Sequence, residues 1–421
     1  MRRFLLCGVV LVAVTAARAD NWPQWRGPHD NGICDETKVP VTWGENKNVV
    51  WKLAVPGMAG STPVLWGDRL FLTSADGGNL VLLCVGTDGK QRWKRTLGRS
   101  TGRSYFRGEG NDASASPCTD GKHIFVFTGA GDLACFDLDG KEVWKFNAQD
   151  RYGRFRIMHG MHITPLLHGG RLYLSLLHEN GQWVIALDAA NGKQVWKAER
   201  KTDGVFEGRQ SYASPCLWTD GKDEYLVVHG CDYCTAHSLK DGSEIWRLAD
   251  LNPKERYNRT LRFVASPVAS RDLIVVPTAK GGPVVGVKPT ARGTIRAGSS
   301  GEQWRKPRGT PDVPSPLIHN GLVYLCRENG VLICLDAKTG KEHYHERLHD
   351  TRHRASPVYA DGKIYVTARD GTFSVVKAGP KFELLAQNRL PDTFTASPVI
   401  SGGRIYLRGF KALYAIGNID Q

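Results

Sequence analysis

The sequence lacks an apolar run long enough to cross a lipid bilayer. Residues 4–14 form its most apolar stretch, which is shorter than the roughly 18 residues that a spanning helix needs. Arg2 and Arg3 precede this stretch, and Ala17-Arg18-Ala19 follows it. Basic, apolar and small residues in this order are typical of a cleavable export signal. We predict a signal peptide over residues 1–19, an exported protein in the periplasm or outside the cell, and no transmembrane segment.

Familiar catalytic motifs are also missing, and acidic residues are fewer than basic ones. There is no Gly-x-Ser-x-Gly elbow and no phosphate-cradling glycine loop. The 421 residues are 41% hydrophobic, with 42 acidic against 56 basic side chains. Removing the three arginines of the signal from the formal charge of +14 leaves +11. This charge suits an envelope protein with an acidic surface or an anionic polymer, although it also serves solubility, and export argues against nucleic acid as a partner.

A turn followed by a tryptophan recurs along the chain. The clearest copy is ALDAANGKQVW, residues 186–196, in which Asp188 and Gly192 suit a tight turn between two antiparallel strands. The first four copies end 51, 52 and 50 residues apart, a length that fits several strands. We expect the tryptophans to pack between neighbouring units as structural docking residues; they are Trp51, Trp93, Trp144, Trp196, Trp246 and Trp304.

A second landmark keeps phase with the first and gives the number of units. A Ser-Pro or Thr-Pro dipeptide begins at each of Thr62, Ser116, Thr164, Ser214, Ser266, Ser315, Ser356 and Ser397. Most are followed by a glycine turn and a β-branched and aromatic run, so each unit predicts four short strands. Eight such units without helix signals predict an all-β fold, an eight-bladed β-propeller of four-stranded antiparallel blades.

The ends of the chain predict how the ring closes. The last unit stops before its tryptophan strand, while an unpaired segment, VVWKL, precedes the first Thr-Pro. We expect this N-terminal strand to complete the last blade and to leave no open edge. The chain then divides into the signal peptide, a leader over residues 20–48, and a propeller over residues 49–421 that forms a monomeric ring.

The repeat closely resembles the tryptophan-docking repeat of pyrroloquinoline-quinone (PQQ) propellers, with the best match at Ala186, Asp188, Gly192, Lys193 and Trp196. The resemblance implies one of two branches. One branch contains quinoprotein dehydrogenases that hold PQQ and calcium on the propeller axis. The other contains non-catalytic propellers such as outer-membrane assembly proteins of the BamB type, and the leader NWPQWRGP, residues 21–28, resembles that of secreted BamB-like proteins.

Several departures argue against the dehydrogenase branch. The sequence has no adjacent cysteine pair, the last blades are minimal, and motif matching places neither an aspartate base nor calcium ligands. We therefore expect an exported, non-catalytic binding or assembly scaffold with no catalytic residue and no cofactor. The alternative is a PQQ- and calcium-dependent dehydrogenase that oxidises alcohols or sugars.

Basic residues cluster in the segments expected at one rim of the propeller. Arg209, Arg262 and Arg354 precede Ser-Pro dipeptides, and Arg369 follows an aromatic strand. Guanidinium groups bind carboxylates and phosphates in a bidentate fashion, so we expect these four to line an anion-binding mouth. The alternative is that they form salt bridges between blades.

One hairpin gathers metal-ligating residue types. His229, Cys231, Cys234 and His237 lie within HGCDYCTAH, which is an acceptable zinc pattern in principle. Because successive strand residues face opposite sides, and because an exported protein oxidises thiols readily, a local disulfide or free thiols is the other interpretation.

Overall fold

The computed structural model describes residues 21–105 and 108–418. The predicted signal peptide lies outside these residues. Within them the chain is almost entirely β-structure, with one short helix, α1 (Ala148–Tyr152), and 3₁₀ turns at Phe206–Arg209 and Lys254–Arg256. None of the helices described there is long and apolar enough to span a bilayer.

In the described part of the chain, the strands form eight antiparallel sheets of four strands, one of which gains a fifth parallel strand. The first strands are Val49–Ala54 (β1), Val64–Trp66 (β2), Arg69–Asp76 (β3), Asn79–Gly86 (β4), Gln91–Arg99 (β5), Cys118–Thr119 (β6), His123–Phe127 (β7), Asp132–Asp137 (β8), Glu142–Asn147 (β9), Leu166–His168 (β10), Arg171–His178 (β11), Gly181–Asp188 (β12), Gln194–Glu199 (β13), Cys216–Thr219 (β14), Glu224–Gly230 (β15), Tyr233–His237 (β16) and Glu244–Leu248 (β17). The others are Val268–Ala269 (β18), Ile274–Val276 (β19), Val284–Val287 (β20), Gly293–Ile295 (β21), Glu302–Lys306 (β22), Leu317–His319 (β23), Leu322–Cys326 (β24), Val331–Asp336 (β25), Glu342–Arg347 (β26), Val358–Ala360 (β27), Lys363–Thr367 (β28), Thr372–Lys377 (β29), Leu384–Arg389 (β30), Val399–Ser401 (β31), Arg404–Arg408 (β32) and Ala412–Ile416 (β33).

We number the sheets as blades 1–8 from the blade that begins with β2. The central strands of a blade are buried on both faces because other blades cover each side; β4 is buried over seven of its eight residues. The outermost strand is exposed at most positions, as in β26, where Tyr344 is its one buried residue. The packing of blades against one another therefore explains both patterns. The middle strands are hydrophobic because neighbouring blades cover them, and the outer strands are polar because they face solvent.

The predicted closure by an N-terminal strand is confirmed. β1 pairs antiparallel with β33, so the first strand of the chain completes blade 8, with Trp51 opposite Ala415 and Leu53 opposite Leu413. The predicted eight-bladed propeller of four-stranded blades is confirmed with it. The closing blade and its neighbours share one large hydrophobic core that also includes Trp22 and Trp43 of the leader.

A closed ring of hydrogen bonds explains the Ser/Thr-Pro dipeptides. Within the residues that the structure describes, the backbone N–H of each dipeptide's Ser or Thr donates to the hydroxyl oxygen of the next one around the ring, over 2.8–3.1 Å. The last bond, from Ser397 to Thr62, joins blade 8 to blade 1. These groups are buried, so each hydroxyl satisfies a backbone donor that water does not reach.

The docking tryptophans lie over the turns of the next blade. Five of the six indoles pack on the turn glycine and donate their Nε1–H to a carbonyl of that turn; the pairs are Trp51 with Gly89 and Thr87, Trp93 with Gly140 and Leu138, Trp144 with Gly192 and Ala189, Trp196 with Gly242 and Leu239, and Trp304 with Gly340 and Ala337. The glycine therefore serves two purposes, because it has positive φ and leaves room for the ring.

Trp246 departs from this arrangement. Blade 5 carries an insertion in place of the short turn, and its strand β21 adds in parallel to β17, opposite Trp246. The indole is buried edge-on against Tyr225, at 6.1 Å between ring centroids, and its Nε1 has no hydrogen-bond partner among the described residues. The added strand thus substitutes for the turn on which this tryptophan would dock.

The leader covers one face of the ring. Trp22 pairs with Leu65 of blade 1, and the carbonyl of Gly32 accepts the backbone N–H of Tyr359 in blade 7. Between these contacts the guanidinium of Arg26 donates to the carbonyls of Pro316 and Pro357, next to the axis. The leader therefore crosses the axial channel on the side of the ring where the prolines of the Ser/Thr-Pro dipeptides lie.

Candidate functional site: the axial mouth

An axial cavity of about 230 Å³ extends from the leader, through the ring of Ser and Thr hydroxyls, to the segments that precede the Ser/Thr-Pro dipeptides. Trp25 of the leader lines it, and hydroxyl-bearing residues of the hydrogen-bonded ring form part of its wall. The segments before the Ser/Thr-Pro dipeptides contribute the other polar side chains; they are Tyr105, Glu109, Ser114, His159, His162, Tyr212, Arg262, Arg354 and Thr395. The topology brings them together because every blade begins with its innermost strand, so these segments converge on the axis.

An arginine cluster surrounds one carboxylate in this mouth. The Glu109 Oε1 atom lies 2.5 Å from Nη1 of Arg352, and Oε2 lies 2.6 Å from both Nε and Nη2 of Arg354. Arg369 is the third member, with its Nε 3.9 Å from Oε1. The Glu109 side chain is 10% exposed, so most of this pairing is shielded from water. We call Arg352, Arg354 and Arg369 the arginine cluster.

Further carboxyl groups balance the charge beside the arginine cluster. Glu328 lies 3.3 Å from Arg354, and Asp312 lies 3.7 Å from Arg262. Burial raises the pKa of Glu328, and a hydrogen bond to Asp312 raises it further. The mouth is therefore a network of paired charges.

Two histidines complete the opposite side of the cavity. His159 Nε2 lies 3.3 Å from Glu207, which is buried, while burial and the nearby Arg262 lower the pKa of His159 against the opposing effect of Glu207. Burial lowers the pKa of His162 to about 4, so its imidazole is neutral at physiological pH. The cavity thus contains neutral hydrogen-bonding groups opposite the charged network.

The structure places the four predicted rim arginines in different settings. Arg262 and Arg354 line the cavity, and Arg369 belongs to the arginine cluster beside it. Arg209 ends a 3₁₀ turn away from the cavity lining, where its carbonyl accepts a hydrogen bond from Gln182. Arg262, Arg354 and Arg369 form ion pairs with carboxylates, and anion binding by these arginines stays a prediction.

The candidate zinc hairpin does not bring its four side chains to one point. His229 stands directly opposite Cys234 on β15 and β16 and packs against Phe263. Cys231 and Cys234 belong to hydrophobic clusters on different sides of the blade, and His237 bonds to Gly242 and Thr235. Strand alternation separates the side chains in the way the pleat requires.

The cysteines that the structure describes are all buried, and Cys231 and Cys234 of this hairpin form no disulfide with each other. Burial raises the pKa of Cys231 and Cys234 to about 12, so both remain thiols. These cysteines occupy core positions as small apolar side chains.

The acidic side chains of the mouth are not grouped as a calcium site of the kind that accompanies PQQ in the dehydrogenase branch. Among the described residues, no three His, Cys, Asp or Glu side chains are grouped so that they could hold a metal ion. The mouth carboxylates are engaged elsewhere, with Glu109 held by the arginine cluster and Asp312 paired with Arg262.

Two features of the site were missed from the sequence. Glu109 lies between β5 and β6 and reaches residues 243 and 245 positions away in the chain, which no local pattern indicates. The hydroxyl ring had a signal, since Ser or Thr precedes proline in every unit. That these hydroxyls accept hydrogen bonds from the neighbouring blade is seen only in the folded ring, where the blades lie side by side.

The closed ring, the tryptophan docking and the axial mouth define an eight-bladed propeller of the PQQ-repeat class. Residues 79–307 and 291–379 match the family model described as outer membrane protein assembly factor BamB. The chain belongs to this family.

Solved structures of two kinds share the fold. BamB from Moraxella catarrhalis is 13% identical with a TM-score of 0.62, over 89% of this chain and 98% of that one. A quinohemoprotein alcohol dehydrogenase from Comamonas testosteroni is 12% identical with a TM-score of 0.65, over 94% and 80%. At these identities the likeness concerns the fold alone.

One curated relative is an enzyme. The polyvinylalcohol dehydrogenase of a Pseudomonas species is 25% identical over an alignment of 245 residues, and the match covers 47% of this chain. The matched part is 35% of that relative, so the chain corresponds to about a third of its length.

Proposed function

We propose that the protein is an exported, non-catalytic binding platform of the cell envelope, and that its axial mouth binds an anionic partner. The partner is the acidic surface of an envelope protein or an anionic polymer. The observation that carries this proposal is the arginine cluster, which already binds a carboxylate with three of its nitrogen atoms at 2.5–2.6 Å. Paired guanidinium groups are suited to such ligands because their geometry is fixed.

Family and charge support the proposal from two other sides. The family model carries the name of an outer-membrane assembly factor, and without the three arginines of the predicted signal peptide the formal charge is still +11. A basic molecule attracts acidic partners at long range and accelerates their encounter.

The dehydrogenase alternative rests on the fold of the alcohol dehydrogenase and on the partial match to an enzyme. The pairing of Glu109 and Asp312 with arginines supports the platform. A calorimetric titration of the protein with PQQ and Ca²⁺, followed by dye reduction with simple alcohols and sugars, separates the two. We expect no stoichiometric binding and no turnover, and turnover would replace the proposal with a compact quinoprotein dehydrogenase.

Binding itself is tested with labelled poly-L-glutamate in a fluorescence anisotropy titration. We expect saturable binding that weakens with salt and at least a fivefold loss of affinity in Arg369→Gln, because one guanidinium of the arginine cluster is removed. Arg271→Gln is the matched control, since Arg271 is an exposed arginine beside the leader on the opposite face. Equal affinities of both variants and the wild type would place polyanion binding outside the mouth.

A further inference from the structure

Glu109 occupies the arginine cluster as a ligand would. Its two carboxylate oxygens bind different arginines, Oε1 with Arg352 and Oε2 with Arg354. Glu109 lies on the connection from blade 1 to blade 2, whereas Arg352 and Arg354 lie between blades 6 and 7. The carboxylate therefore comes from a different part of the ring, as an incoming partner's would.

The backbone of the turn that presents Glu109 is anchored on both sides. On one side the backbone N–H of Glu109 donates to the carbonyl of Tyr105, which also bridges to Gly110. The Asn111 side chain donates to the carbonyl of Met58, and Asp112 accepts hydrogen bonds from Ser100 and Thr101. Glu109 itself stands between Gly108 and Gly110, which have no side chains to restrict it. The Glu109 side chain, with no side chain on either neighbour, can thus rotate out of the arginine cluster while the backbone contacts at Tyr105 and at residues 111–112 hold.

Glu109 does not satisfy the arginine cluster fully. The Nε atom of Arg369 is buried and has no hydrogen-bond partner among the described residues, and its distance of 3.9 Å to Glu109 is beyond hydrogen-bond length. The Arg352 side chain is 48% exposed and the Arg369 side chain is 32% exposed. Arg352 and Arg369 are therefore accessible from solvent, whereas the Arg354 side chain is 8% exposed where it contacts Glu109. The arginine cluster also retains one unused donor, the buried Nε of Arg369.

We propose that Glu109 is a built-in competitor that a glutamate side chain of a partner protein displaces from the arginine cluster. The inference rests on the proposed function. It names the chemical group that the mouth binds and the side chain that regulates this binding. A peptide glutamate is the ligand because the arginine cluster already binds a glutamate, Glu109, that a turn presents. The cavity beside the arginine cluster is too small for a folded domain. In the partner complex a second carboxylate takes the two contacts to Arg352 and Arg354, and the freed Glu109 turns to solvent.

Because Glu109 competes with the partner, the partner binds only those molecules in which the arginine cluster is free. Its apparent Kd is the intrinsic Kd divided by the fraction of such molecules. If Glu109 occupies the arginine cluster in about nine molecules out of ten, the apparent Kd is weakened about tenfold. Removing the charge of Glu109 restores that affinity without adding any contact to the partner.

The test measures binding of the capped peptide Gly-Glu-Gly-Asn-Asp, the sequence of residues 108–112, by calorimetry. We expect Glu109→Gln to bind it at least tenfold more tightly than the wild type does. Glu109→Asp keeps the charge balance and the folded mouth but shortens the reach by one methylene, so its affinity should lie between the two. The peptide with glutamine in place of glutamate should not compete.

Glu244→Gln is the matched control, because Glu244 is also paired with an arginine, Arg247, but on an outer strand away from the mouth. It should bind the peptide as the wild type does. Equal affinities of Glu109→Gln, Glu109→Asp and the wild type would overturn the inference and leave the proposed function intact. Absence of binding of both the peptide and poly-L-glutamate in all variants would overturn both.

Discussion

The indole of Trp144 lies over Gly192 of the next blade and donates its Nε1–H to the carbonyl of Ala189, 2.9 Å away. An added Cβ on Gly192 would come within 2.8 Å of the ring. One glycine therefore determines both the turn of its own blade and the docking of its neighbour.

Gly192→Ala should destabilise the propeller by about 2–4 kcal/mol in urea unfolding. The substitution adds a clash with Trp144 to the cost of a side chain at a φ of +67°. Gly403→Ala separates the two effects, because Gly403 has the same φ of +67° and open space around its Cβ. If both variants lose equal stability, the tryptophan contact contributes nothing.

Ser266→Ala should cost about 1–3 kcal/mol, since it leaves the buried backbone N–H of Ser214 without its acceptor. Ser266→Thr should be close to neutral, because Thr62 and Thr164 fill the same position in other blades. Equilibrium unfolding of the two variants checks this. A Thr variant as unstable as the Ala variant would show that the site responds to packing and not to the hydroxyl.

Deleting residues 49–53 should lower the melting temperature of the whole ring in a single cooperative transition. These residues form most of β1. Their loss exposes the edge of β33 and removes the contact that Trp51 makes with the turn of blade 1. Thermal unfolding followed by circular dichroism measures the effect. Unchanged melting of the shortened chain would contradict closure by this strand.

Stability should decrease as the pH falls below about 6.5, because buried histidines are held neutral. Burial lowers the pKa of His178 and His237 to about 4 and that of His229 to about 3. The unfolded chain takes up these protons near pH 6.5 while the folded protein does not, so acid favours unfolding. His229→Leu should reduce the slope of unfolding free energy against pH by up to about 1.4 kcal/mol per unit between pH 6.5 and 4. An unchanged slope would mean that His229 is accessible to protons in the folded state.

Asp30→Asn should stabilise the protein increasingly as the pH rises from 4 to 7. Burial raises the pKa of Asp30 to about 7, against the opposing effect of Arg26, so ionisation of this carboxyl favours the unfolded chain over that range. Asparagine preserves shape and tolerates the residue's φ of +53°. Asp35→Asn, at a more exposed leader site, should show no such trend in differential scanning calorimetry. A constant difference at every pH would contradict the raised pKa.

Local patterns were sufficient to predict the fold. The 50-residue period, the Ser/Thr-Pro dipeptides and the unpaired VVWKL segment gave the blades and their closure, because each blade is built from strands that are consecutive in the chain. The sequence did not predict that β21 would pair with β17 of the neighbouring blade, because adding a parallel strand changes no periodic feature of the sequence.

The candidate site depended on contacts between distant parts of the chain. The sequence by itself determined that arginines such as Arg354 and Arg369 would collect near the axis, because position in the repeat decides position in the ring. Only the tertiary structure decided which carboxylate they meet, since Glu109 reaches them across the mouth from a connection of irregular length. Ring geometry brings such connections together, and no periodicity in a linear sequence encodes the distance across an axis.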